Sequence, residues 1–155
     1  MRVRAILVVV SACLLFSTEV FACGDSLYRV CKGVSYRVYT APLPGSVLVY
    51  GQSEGARQLA EALAQSGHEV NLVQNEFDLA LEMKKGGYDV VIAPYGEHAS
   101  VEASQGDSAA EYIPVALSKD EEKAARQSYS RVLVADRAEI KHYLKAIHKS
   151  LTSKA

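Results

Sequence analysis

The sequence predicts an α/β domain, a five-stranded parallel sheet with helices on both faces, preceded by a short hairpin-like extension. Three observations predict it. From Val47 onward, short apolar runs alternate with stretches of helical period, the pattern of repeated strand–helix units. The run "YDVVIAP" (residues 88–94) is continuously apolar, as a strand covered on both faces has to be. The joints carry residues that start and stop helices, among them Ser53, Gly67, Asn75 and Gly86–Gly87.

Each element follows from its own residues. "SVLVYG" (46–51) reads as the first buried strand. In "SEGARQLAEALAQSG" (53–67), Ala56, Leu59, Ala60 and Leu63 share one helical face, with Ser53 placed to cap the first turn and Gly67 to end the last. "HEVNLV" (68–73) alternates as a strand, and the histidine that opens it is expected at the surface. "NEFDLALEMKKGG" (75–87) is the second helix, capped by Asn75 and stopped by Gly86–Gly87.

"YDVVIAP" supplies the third strand. The polar stretch that follows allows a short helix over 100–104 and a loop around Gly106. "YIPVAL" (112–117) is the fourth strand, and Pro114 predicts an irregular or edge position for it. "SKDEEKAARQSYS" (118–130) is a polar helix and "RVLVA" (131–135) the fifth strand. In the last helix, over 136–151, Ile140, Tyr143, Leu144, Ile147 and Leu151 form one apolar face. Five short strands joined this way fit the flavodoxin-like order 2-1-3-4-5.

The segment before this domain divides in two. Arg2 and Arg4 followed by the apolar run from Ala5 to Ser17 read as a secretory signal over residues 1–22. The run falls well short of the roughly 20 residues that span a bilayer. Val20 and Ala22 suit cleavage before Cys23, which predicts a periplasmic or secreted protein. The alternative is a lipid anchor on Cys23 itself, the one route by which the protein would touch a membrane, although Phe21 is a poor residue for it. Cys13 leaves with the signal. Cys23 and Cys31 remain, and an oxidising compartment favours a small-loop disulfide between them unless Cys23 is lipidated.

Residues 23–45 are expected to form an extension, with a turn at "KG" and a break at "APLPG", and the domain proper to run over 46–152. Loss of the signal removes two arginines and one glutamate, which moves the net charge from −1 to −2. That balance excludes nucleic acid as the expected partner, since it lacks a clustered cationic excess.

From Val47 to Leu151 the chain resembles the response-regulator receiver domain. "VLVYGQSEGARQLAEALAQSGHEV" has the length and cadence of that family's first strand, first helix and second strand, and "YDVVIAP" matches its third strand. The family's chemistry implies an acid pair holding Mg²⁺, a phosphoryl-accepting acid, a hydroxyl and a lysine in one crevice. Carried onto this chain, the acid pair falls on Gly51 and Gln52, and the acceptor on Pro94. The hydroxyl falls at Leu117–Ser118 and the lysine on Ala135. Without carboxylates Mg²⁺ has no hard anionic ligands here, so the resemblance implies a pseudo-receiver without phosphotransfer, cofactor or metal.

Ligands of open α/β sheets gather at the carboxyl ends of the strands. Tyr50, Gln52, Ser53, Tyr95 and His98 are therefore the candidate small-ligand crevice, against the plainer reading that the tyrosines only fill space. Glu97, His98 and Asp136 have metal-binding side chains but poor chelate spacing, so no metal is expected. "GQSEG" matches the GxSxG letters of a hydrolase elbow around Ser53, without a histidine after the last strand. Tyr28, Arg29, Lys32, Tyr36, Arg37 and Tyr39 form a basic, aromatic set of the kind enriched in binding hot spots. The leading expectation is a non-enzymatic, exported module that binds an envelope protein, through this set or through the last helix and the fourth-to-fifth-strand face, where the resemblance implies docking. A small-ligand sensor comes second and a Ser53-dependent hydrolase third.

Overall fold

The computed structural model describes residues 40–154. The signal at 1–22 and most of the 23–45 extension, with Cys23, Cys31, Tyr28, Arg29, Lys32, Tyr36, Arg37 and Tyr39, lie outside the described residues. Five strands, β1 (Ser46–Tyr50), β2 (Glu69–Val73), β3 (Val90–Pro94), β4 (Glu111–Ala116) and β5 (Leu133–Val134), form one parallel sheet in the order β2-β1-β3-β4-β5. Between and after them run α1 (Glu54–Gln65), α2 (Glu76–Lys85), α3 (His98–Gln105), α4 (Lys119–Ser128) and α5 (Ile140–Lys154). A 3-10 turn, Tyr95–Glu97, joins β3 to α3.

Alternation along the strands splits the core into two layers. Val47 and Val49 of β1, Val90 and Ile92 of β3, and Ile113 and Val115 of β4 meet Leu59 and Leu63 of α1 and Tyr143 and Ile147 of α5. Leu48, Tyr50, Val91, Ala93 and Tyr112 point the other way, toward Leu79 and Met83 of α2 and Val101 of α3. Successive side chains of a strand face opposite sides, so a continuous apolar run fills both layers at once.

The helix signals act as their chemistry predicts. Ser53, Asn75 and Ser118 each have extended backbone, and their side chains accept the N–H groups of Ala56, Asp78 and Glu121 respectively. Gly86 and Gly87 take positive φ values of 72° and 89° where α2 stops, a conformation that glycine adopts without steric cost.

Four expectations are corrected. His68 is buried, 5% exposed, because the loop at Gly45 packs over it. Pro114 lies inside β4, an internal strand, but pairing with β5 begins only at Val115, so among the described residues β4 has no partner strand on that side at the proline. The fifth strand is only two residues long, and Ala135 and Ala138 turn inward before α5 begins at Ile140. The short helix after β3 starts at His98 rather than residue 100.

Candidate functional site

The carboxyl ends of β1, β3 and β4 bring the sequence-predicted positions to one edge of the sheet. Gly51 is buried and donates its N–H to the Val73 carbonyl at 3.0 Å, while Gln52 beside it is exposed. Ser53 is spent on α1: its Oγ accepts the Ala56 N–H at 3.2 Å. Its backbone, φ −76° and ψ 154°, is ordinary extended chain rather than the strained turn a nucleophile elbow needs. No imidazole among the described residues hydrogen-bonds to it. His68 accepts from Gly45, His142 accepts from Glu139, and His98 pairs with the Tyr95 carbonyl.

Tyr50 does not wall a crevice. It is 4% exposed and packs among Leu48, Val73, Leu79 and Val91. Burial pushes its phenol above the usual value, and the negative charges of Glu97 and Glu76 add to this. Tyr95 and His98 do come together. Their rings stack 4.8 Å apart and 6° from parallel, and His98 Nδ1 lies 2.9 Å from the Tyr95 carbonyl, which fits an Nδ1–H tautomer.

That stack belongs to a larger aromatic group absent from the sequence reading. Tyr129, just after α4, meets Tyr95 edge-on at 6.3 Å and Tyr112 edge-on at 5.1 Å. Its hydroxyl donates to Glu102 of α3. The Tyr112 hydroxyl donates to the Pro94 carbonyl at 3.1 Å. Burial raises the phenols of Tyr112 and Tyr129; the negative charge of Glu102 adds to both, and Tyr129 is raised further by its hydrogen bond to Glu102. Both hydroxyls are therefore held protonated, as donors. A tyrosine inside the apolar run of β4 and another closing the otherwise polar "RQSYS" were the sequence signals for this group.

At the remaining receiver positions, Ser118 caps α4 by accepting the Glu121 N–H at 3.2 Å. Ala135 is 6% exposed and donates its N–H to the Ala116 carbonyl at 2.9 Å. Among the described residues, no three His, Cys, Asp or Glu side chains come together as a metal site would require, so Asp136 does not join Glu97 and His98 in one. At this edge Tyr95, His98, Tyr112 and Tyr129 pack ring against ring, and Ser53 and Ser118 cap helices.

No family model matches the chain, and no curated protein matches it. Solved structures do. A CheY-like response regulator receiver domain from Methylobacillus flagellatus superposes with a TM-score of 0.57 at 19% identity, covering 68% of this chain and 99% of its own. A candidate CpaE2 pilus assembly protein from Sinorhizobium meliloti 1021 superposes with a TM-score of 0.51 at 14% identity, covering 68% of this chain and 98% of its own. The chain has the flavodoxin-like fold of receiver domains, and at these identities the likeness is one of fold.

Proposed function

We propose that the protein is an exported receiver-like module of the cell envelope that binds a protein partner and works without phosphotransfer. The observation that carries this reading is the chemistry at the strand ends. Gly51, Gln52, Pro94 and Ala135 offer neither a carboxylate for Mg²⁺ nor a nucleophile for phosphorus. The hydroxyls nearby, Ser53 and Ser118, already accept helix N–H groups. A receiver fold stripped in this way keeps its surfaces and loses its chemistry. The Arg2–Arg4 leader supports export, and the tyrosines and arginines between Tyr28 and Tyr39 are the surface assigned to the partner.

Native mass spectrometry of the protein purified gently from its own envelope tests this. The expected result is a second protein at fixed stoichiometry, lost in a Tyr36→Ala/Arg37→Ala variant. The denatured mass is expected to begin at Cys23, with a two-hydrogen deficit for the Cys23–Cys31 disulfide. A phosphate-sized mass increment after treatment with acetyl phosphate and Mg²⁺ would overturn the non-catalytic reading. A bare protein would overturn the partner reading.

A further inference from the structure

The outer face of α2 carries two large apolar side chains in water, Phe77 at 78% and Leu81 at 44% exposed. They sit four residues apart and so on one helical stripe, with Ala80 between them. Beside the stripe, Ala99 and Ala103 of α3 leave an open groove of about 560 Å³, with Glu76, Phe77, Ala80, Ser100 and Ser104 as its other walls. Leu79 and Met83 are the residues of α2 that face inward, and Phe77 and Leu81 belong to neither core layer. A contiguous exposed apolar stripe of this kind marks an interaction surface.

The charges around the stripe say what fits it. The first turn of α2 is acidic, with Glu76 and Asp78, and its last turn is basic, with Lys84 and Lys85. Glu76 and Lys84 stand four residues either side of Ala80. A twofold axis through Ala80 therefore makes the face complementary to itself. Two α2 helices then run antiparallel, and Phe77 of each lies toward the Leu81 end of the other. Glu76 meets Lys84 of the partner subunit twice. Interfaces related by a twofold need this self-complementarity. We propose that a second copy of this chain covers the α2–α3 face, forming an isologous dimer through Phe77, Leu81 and the Glu76–Lys84 pair.

One helix face with a short neighbour is a small contact, so the dimer is expected at the weak end of specific association, with Kd on the order of 10 μM. The test is sedimentation velocity of the mature protein over a concentration series. Phe77→Ser should weaken association about tenfold or more, as loss of a buried aromatic anchor does. Glu76→Lys and Lys84→Glu should each weaken it about tenfold, because each sets two like-charge pairs across the axis. Mixing those two variants should restore association, since the mixed dimer recovers opposite charges at both contacts. Circular dichroism of each variant separates loss of fold from loss of contact. A dimer indifferent to Phe77 and to mixing overturns the proposal. So does a monomer at every concentration, which leaves residues 23–39 or another protein as the cover.

Discussion

Tyr112 pairs with Val91 in the β3–β4 ladder, yet its hydroxyl reaches along the sheet to the carbonyl of Pro94, 3.1 Å away. The strand end where a receiver would display its acid is thereby tied down from the neighbouring strand. Tyr129 packs edge-on against the same ring and binds Glu102, so β3, β4, α3 and the end of α4 meet through one aromatic group.

Removing the Tyr112 hydroxyl isolates this bond. Tyr112→Phe keeps the ring contacts and leaves the Pro94 carbonyl without its donor. We expect a loss of about 1 kcal/mol, the usual net worth of one such hydrogen bond. Urea unfolding, read as a shift in midpoint at constant slope, measures it. Tyr112→Ala also removes the ring and should cost about 3–5 kcal/mol. Equal losses for the two variants would mean that the ring contributes nothing.

Ser53 separates a cap from a nucleophile. As the N-cap of α1, Ser53→Ala should cost about 1 kcal/mol, while Ser53→Asp, which still accepts a helix N–H, should hold stability near wild type. A fluorophosphonate probe should leave the wild-type protein unlabelled. Labelling that disappears in Ser53→Ala would instead revive the hydrolase reading.

The legible parts of the fold are those encoded over short distances. The α1 face of Ala56, Leu59, Ala60 and Leu63 follows from a 3.6-residue period, and all four are buried. The caps at Ser53 and Asn75 and the glycines ending α2 follow from backbone chemistry within three residues. Sheet order follows from the alternation of short strands with helices. His68 escaped because its burial depends on Gly45, far away in sequence. The Tyr112–Tyr129 contact joins two elements across a helix, and no local period encodes it. At the candidate crevice, residue identities were readable, but the inward turn of Tyr50 depended on the register of β1 in the sheet.

Gly45 tests the tightness of the loop leading into β1. A Cβ there would lie 2.8 and 2.9 Å from the two Leu151 methyls and 3.2 Å from Asp89 Oδ2. The leucine tip can move. The Asp89 oxygen is held by the Ser46 N–H at 2.9 Å. Gly45→Ala is expected to destabilise by about 1–2 kcal/mol through this overpacking. Adding Leu151→Ala should give a double variant less destabilised than the two single losses predict, because the sites share one space. Strict additivity in a urea cycle would show that Leu151 is not the neighbour that matters.

His68 makes the same loop sensitive to pH. Its Nδ1 accepts the Gly45 N–H at 3.1 Å, and its Nε2 is buried with no hydrogen-bond partner among the described residues. Burial holds its pKa below the usual 6.5, and the lone pair that Gly45 uses exists only while Nδ1 is unprotonated. As pH falls past 6.5 the unfolded chain takes up this proton before the folded one. The contribution of His68 is therefore complete above that value and is lost as pH falls from there through the folded pKa. The slope cannot exceed about 1.4 kcal/mol per pH unit for one proton. Urea midpoints measured from about pH 7.5 down to about pH 5 should fall more steeply in the wild type than in His68→Gln, which cannot titrate but keeps an acceptor. The two proteins differ only at this residue, so the difference between the curves belongs to His68. Parallel curves would show that the ring is free to protonate in place and that the Gly45 bond does not depend on its charge.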